Sequence, residues 1–259
     1  MAHVTDEAIC IRHWDFSETS QTVSLFCRGH GVLRGLAKGA KRAGGRFSGG
    51  IDLLTRGQVV AIVKPGRELS TLTDWALLAT YRSLRSRLMA NQSAYYMIDL
   101  VQRLVADGDP HPRLYDGLVA CLEAIDAPSE PEGDGVAVQL AFQWLALDEA
   151  GYRPALADPD DPDAELPQTV HFSAEAGGIA RGGGWKVRRP TIELLRSIAM
   201  ATEAVPDAEG ARASLAECLD DAVKAGPDVT VRANRLLASY LRHVLGQFPE
   251  TMRALFADL

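Results

Sequence analysis

Six basic residues and no acidic residue lie between Thr19 and Ile51, in a chain of 259 residues whose formal net charge is -7. They are Arg28, Arg34, Lys38, Lys41, Arg42 and Arg46. A cluster that opposes the sign of its own chain indicates an anionic partner bound at one place, because exposed cations neutralise phosphates and release their counterions. Nucleic acid is therefore the first candidate ligand, with the five cations from Arg34 onward as its contacts.

An aromatic residue, Phe47, stands at the end of this basic stretch. A cationic loop with an aromatic tip suits single-stranded nucleic acid, because charge follows the phosphates while a ring stacks a base, at about 1–3 kcal/mol per base. Phe47 is therefore predicted to contact DNA together with the five cations. Two other interpretations stay open: the cations form the ordinary charged rim of a barrel, and Phe47 plugs the end of that barrel.

Short strands must hold these residues. Alternating apolar and polar residues predict strands at 7–14, 21–28, 32–38, 57–64 and 69–76. In the first strand Cys10, Arg12 and Trp14 fall on one side, and in the third Arg34 and Lys38 share a face. Five short strands within about 75 residues predict a small closed barrel, and the OB-fold is the five-stranded type that binds oligonucleotides.

From about Leu77 the hydrophobic period becomes helical. Apolar stripes predict three helices before residue 150 and three after Pro190, at about 97–104, 114–125, 136–147, 190–198, 211–224 and 229–246. Residues 152–170 are rich in Pro and Asp and predict a loop, while 170–189 predict a short hairpin with glycine turns.

The predicted class is α+β. A five-stranded OB-fold barrel at 1–78 is followed by a mostly α-helical domain at 79–259, which carries an irregular and hairpin insertion at about 152–189.

The four tryptophans could act as stacking platforms. Three are predicted to pack in the core, because of their places at strand ends or on a helical stripe: Trp14, Trp75 and Trp144. Trp185 is the best candidate for an exposed ring, with Lys186, Arg188 and Arg189 beside it. The alternative is that Trp185 covers the helical core.

Several classes of function have no support. Neither common phosphate-binding loop occurs, the six histidines are scattered, and the four cysteines form no CxxC pair. We predict no active site, no cofactor and no metal, and expect the cysteines to be buried thiols. No apolar run approaches the roughly 18 residues that span a bilayer and no secretory signal is visible, so a cytoplasmic protein is expected.

The residues from 8 to 42, AICIRHWDFSETSQTVSLFCRGHGVLRGLAKGAKR, resemble the bacterial RecO family of DNA repair proteins. The likeness rests on the turn with Asp15-Phe16 and Glu18, on Phe26 in the second strand, and on the hairpin from Ala37 to Lys41. Further along, GYRPAL at 151–156 and LLASYLRHVLG at 236–246 also resemble the family, so the resemblance covers nearly the whole chain.

The resemblance implies an N-terminal OB-fold that binds single- and double-stranded DNA, and a helical C-terminal domain. It implies annealing of complementary strands and partnership with RecR and with the acidic, apolar C-terminal tail of single-stranded-DNA-binding protein. The basic hairpin residues that match the family are Arg34, Lys38, Lys41, Arg42 and Arg46. Many family members carry paired cysteines of a zinc motif after the GYxPxL segment, whereas 157–189 contain none, so no zinc is predicted here.

The predicted function is that of a non-enzymatic mediator of DNA repair and recombination, associated with the nucleoid, which helps RecR load recombinase on DNA coated by single-stranded-DNA-binding protein. Candidate partner-binding residues are Trp185, Lys186, Arg188 and Arg189, whose cations could bind a terminal carboxylate. The alternative is a protein-interaction adaptor whose barrel binds protein rather than DNA.

Overall fold

The computed structural model describes residues 2–42, 45–47, 49–64, 66–127, 134–203, 207–257 and 259. Five strands come first: β1 (Ala2–Asp15), β2 (Gln21–Cys27), β3 (Gly31–Ala37), β4 (Thr55–Val63) and β5 (Ser70–Thr80). A 3-10 turn at Arg82–Arg85 leads to α1 (Leu88–Leu104), α2 (Pro112–Asp126) and α3 (Asp134–Glu149). Then come β6 (Thr169–Ser173), β7 (Gly178–Ala180), β8 (Trp185–Arg188), α4 (Arg189–Thr202), α5 (Ala208–Ala225), α6 (Pro227–Leu245) and α7 (Glu250–Leu255).

The five N-terminal strands close into a barrel in the order β1-β2-β3-β5-β4. All neighbours are antiparallel except β3 and β5, which run parallel. The long β1 closes the barrel because its first half pairs with β4, from Ala2 to Ile9, and its second half with β2, from Ala8 to Asp15. This arrangement is an OB-fold, so the predicted fold class is confirmed.

The last barrel strand is longer than predicted. The sequence pattern becomes helical at about Leu77, but β5 runs on to Thr80, because Thr55 and Arg56 of β4 pair with Thr80 and Ala79. Leu77 and Leu78 are exposed on this strand, so their apolar side chains belong to no helix stripe.

The barrel has two apolar surfaces. Val23, Leu25 and Cys27 point inside, together with residues of the other strands such as Val59 and Trp75. On the outside of the same strands, Ile9, Phe26 and Val32 join the larger core of the helical domain. One end of the outer barrel wall is therefore covered by helices.

In the helical domain, α3 lies at the centre and packs against α1, α2, α5 and α6. The predicted hairpin at 170–189 is a three-stranded sheet in the order β7-β6-β8, preceded by the predicted acidic loop. The short helix α7 was not predicted; it packs on α1, and the adjacent Phe256 places its ring 5.7 Å from that of Tyr96.

A half-buried ion pair and a glycine join the barrel to the helices. Arg28, just after β2, donates from Nε and Nη2 to the two carboxylate oxygens of Asp116 in α2, both at 2.8 Å. These hydrogen bonds raise the pKa of Arg28 above its ordinary value. Nearby, Gly31 has φ of +63° and lies so close to the loop after α1 that an added Cβ would stand 2.1 Å from the main-chain oxygen of Asp109.

Candidate nucleic-acid interface

The end of the outer barrel wall that the helices do not cover carries cations. Directly opposed residues of antiparallel strands share a face, and one such row across β1, β2 and β3 consists of Arg12, Ser24 and Arg34. The next row outward consists of Trp14, Thr22 and Leu36, and Lys38 follows Leu36 by the period of two. Arg12, Arg34 and Lys38 are all exposed; β3 ends at Ala37, one residue before Lys38, so the placing of Lys38 on the same face as Arg34 stays a prediction.

The loop after β3 is anchored to the β1–β2 turn. The backbone N–H of Lys41 donates to the main-chain oxygen of Thr19 at 3.1 Å, and that of Gly39 donates to the Ser20 hydroxyl at 3.2 Å. The Lys41 ammonium lies 2.5 Å from a carboxylate oxygen of Asp15. These contacts hold the loop after β3, called the basic loop because it carries Lys38, Lys41, Arg42 and Arg46, beside the cationic wall of Arg12 and Arg34.

Some of the predicted DNA contacts are already paired with carboxylates. Arg34 lies 3.1 Å from Asp107, in the loop after α1, with both side chains more than half exposed. Lys41 is paired with Asp15, as described above. Lys38, Arg42 and Arg46 are exposed and make no ion pair with any described residue. These three are the cations most readily available to an anion.

Phe47 does not lie where a base could reach it. Its side chain is only 5% exposed and belongs to the apolar cluster inside the barrel, near Ile51. The predicted stacking role is therefore wrong for this conformation, and the alternative of a plug in the barrel applies. The reason is hydrophobic: a phenyl ring beside an open barrel end gains free energy by leaving water.

Two of the three tryptophans predicted to pack in the core are buried, and the third is exposed. Trp75 and Trp144 are buried, at 3% and 1% exposure, which confirms their core role. Trp14 is 44% exposed, so the prediction that it packs in the core is wrong. The Arg12 guanidinium lies over its ring, 4.7 Å from the ring centre.

The four candidate partner-binding residues do not form one cluster. In β8, Trp185 pairs with Phe172 of β6 and stacks on its ring at 6.1 Å, whereas Lys186 pairs with His171 on the opposite face. Arg188 lies on the same outer face as Lys186. Arg189 is largely engaged, because it contacts Glu165 and, at 3.0 Å, Glu193.

A groove of about 500 Å³ lies on the face of β8 that carries Trp185. It is also lined by Arg242 and His243 of α6 and by Phe248 and Leu259. Arg242 donates to the main-chain oxygen of Leu259 at 2.9 Å and lies 4.8 Å over the Phe248 ring. The cation beside Trp185 is thus Arg242, which is 57 positions away in the sequence, rather than a residue of β8.

Two further observations concern the described residues only. No helix in that part of the chain is long and apolar enough to cross a membrane. Within the same ranges, no three His, Cys, Asp or Glu side chains are grouped so that they could hold a metal ion.

Comparison with known proteins assigns both domains. Residues 1–81 match the family model described as "Recombination protein O N terminal", and residues 85–253 match the one described as "Recombination protein O C terminal". The two matches meet near the end of β5, where the barrel gives way to helices.

Curated relatives agree with this assignment. The chain is 37% identical over 175 residues to a DNA repair protein RecO of Rhodopirellula baltica, which covers 66% of this chain and 63% of that protein. It is 33% identical over 179 residues to the Geobacter metallireducens protein of the same name, covering 69% and 71%. A third, from Anaeromyxobacter dehalogenans, is 30% identical over 251 residues, covering 95% and 93%. The chain therefore belongs to the RecO family of DNA repair proteins.

Proposed function

We propose that the protein mediates DNA repair and recombination without catalysis of its own, by binding single- and double-stranded DNA on the barrel and annealing complementary strands. One observation carries the proposal: Lys38, Arg42 and Arg46 are exposed and unpaired among the described residues, beside a cationic barrel wall, in a chain of net charge -7. An anionic polymer is the ligand that such an arrangement fits.

Annealing needs no nucleotide hydrolysis, because base pairing supplies the driving force. The protein has to screen phosphate repulsion and raise the encounter rate of two strands, and exposed cations on an anchored loop do both. Arg34 and Lys41 join the contact when a phosphate replaces the carboxylates of Asp107 and Asp15. Of the five predicted contacts, three therefore have no ion pair with a described residue and two exchange partners.

The proposal extends to protein partners of the helical domain. The groove between Trp185 and Phe248 offers apolar walls, and Arg242 already binds a main-chain oxygen there. Such a groove suits the acidic, apolar tail of single-stranded-DNA-binding protein, since a guanidinium pairs well with a carboxylate. With RecR as a second partner, the protein would help load recombinase on coated DNA in the cytoplasm, at the nucleoid.

Binding of a fluorescent single-stranded oligonucleotide tests the DNA site. With about five phosphate contacts, the salt slope is near -3.5, so raising salt from about 50 to about 200 mM weakens binding roughly 130-fold. The double variant Lys38→Glu/Arg42→Glu should bind at least tenfold more weakly at low salt and show a slope smaller by about 1.4.

A matched control changes the same charge elsewhere. Arg82 and Arg232 are exposed on the helical domain, so Arg82→Glu/Arg232→Glu should bind like the wild type. If both double variants lose affinity equally, the effect is one of net charge and the assignment to the basic loop fails. Wild-type protein that does not bind at low salt would contradict DNA binding itself and favour the adaptor alternative.

A further inference from the structure

Two aromatic rings are exposed on the aromatic turn, the segment 14–16 where β1 ends and the β1–β2 turn begins. Trp14 is 44% exposed and Phe16 is 62% exposed, whereas Phe26, Phe47 and Trp75 of the same barrel are buried. A large aromatic ring exposed to water lacks the favourable free energy of burial, and an exposed apolar patch often marks an interaction site. The helical domain covers the other end of this wall and does not cover them.

The rings lie among the cations of the proposed DNA site. Trp14 occupies the row next to that of Arg12 and Arg34 on the outer wall. Asp15, between Trp14 and Phe16, holds the Lys41 ammonium, and the loop backbone is hydrogen-bonded to the same turn through Thr19. The aromatic turn and the basic loop are therefore one surface.

We propose that Trp14 and Phe16 stack the unpaired bases of single-stranded nucleic acid whose phosphates are held by the basic loop. The inference rests on the proposed DNA-binding function and adds to it the residues that recognise bases. A ring stacks on any base, so the contact is tolerant of sequence, but bases within a duplex are already stacked and out of reach. The two rings thus favour single strands over duplex.

Arg12 completes the platform. Its guanidinium lies over one face of the Trp14 ring, and no described carboxylate pairs with it. A cation over a ring fixes the orientation of the ring and remains free to contact a phosphate on its outer side. Charge also favours nucleic acid as the occupant: an apolar patch for protein docking is usually depleted of charge at its centre, whereas this one holds the Arg12 guanidinium against the Trp14 ring.

Two oligonucleotides separate stacking from charge: an oligothymidine and an abasic phosphodiester strand of the same length. The double variant Trp14→Ala/Phe16→Ala should lose about tenfold or more in affinity for oligothymidine, and nothing for the abasic strand, because only stacking is removed. The salt slope should stay unchanged. Trp14→Phe should keep most of the affinity, because a ring remains.

The control removes apolar side chains of similar exposure elsewhere on the barrel, with Leu77→Ala/Leu78→Ala, and should bind both strands like the wild type. The proposal is overturned if the aromatic variant binds oligothymidine as well as the wild type, or loses affinity equally for both strands. If instead the wild type binds neither strand at low salt, the DNA-binding function itself fails, and the stacking platform with it.

Discussion

Removing Arg28 should weaken the joint between barrel and helices by a measurable amount. The carboxylate of Asp116 is 4% exposed and receives both of its short hydrogen bonds from Arg28, across 88 positions of sequence. In Arg28→Met, this carboxylate stays buried without its hydrogen-bonded counter-charge, and only the more distant Arg212 remains to interact with it. Breaking a buried pair costs about 3–5 kcal/mol, but Arg28 is 41% exposed, so water screens the pair and we expect about 2 kcal/mol.

Urea unfolding followed by circular dichroism measures this free energy. A matched control is Arg85→Met, because Arg85 pairs with Asp52 at 3.5 Å while both side chains are largely exposed, and its loss should cost under about 0.5 kcal/mol. The double variant Arg28→Met/Asp116→Leu should recover part of the stability, since an apolar pair leaves no buried charge. The reasoning is refuted if Arg28→Met costs no more than the control, or if the double variant is less stable than Arg28→Met alone.

Three further outcomes are expected. Asp107→Asn removes the carboxylate that a phosphate must displace from Arg34, so affinity for single strands at low salt should rise about threefold in a titration, while the salt slope stays that of the wild type because the same phosphates are contacted; unchanged affinity would show that Arg34 does not reach phosphate. Gly31→Ala should lower the free energy of unfolding in urea by about 2 kcal/mol or more. Gly66→Ala should lower it by about 1 kcal/mol, because Gly66 also has a positive φ but an added Cβ would meet nothing within 4 Å; equal losses would contradict the clash at Gly31. Burial raises the pKa of all four cysteines, to about 12 for Cys10 and Cys218, so at about pH 8 a thiol reagent should modify none in the native protein and all four in urea.

The sequence predicts the barrel well because its strands alternate and its turns contain glycine. Each of the five predicted strands overlaps an observed one, and the errors lie at the ends. Residues 2–6 of β1 were missed, because most of their side chains are exposed and show little contrast between faces. The helix α7 was missed for a similar reason: it has six residues and buries only Met252, too few to show a period.

A bulge explains why Trp14 was misplaced. Alternation puts Trp14 on the side of Cys10, which faces the barrel interior. The register between β1 and β2 shifts between Cys10 and Arg12, so Arg12 and Trp14 point outward instead. A single extra residue moves every following side chain of the strand to the opposite face, and the local sequence pattern does not indicate where the extra residue lies.

The candidate site was only partly accessible from sequence. Clustered cations are visible as a run without acidic residues, which is why Lys38, Arg42 and Arg46 could be named. The partner of Arg34 lies 73 positions away, and the burial of Phe47 depends on the closed barrel. Contacts of this kind arise from tertiary packing and produce no periodic pattern in the sequence.

The pairing of the sheets also bears on how copies of the protein behave when crowded together. In the small sheet, the outer side of β7 is occupied by two hydrogen bonds with Ala155. The opposite edge of this sheet is the far side of β8, which is four residues long, carries Lys186 and Arg188, and is followed by Pro190. Short, charged edges resist strand-to-strand association. The small sheet therefore offers crowded copies of the protein little backbone edge through which to associate.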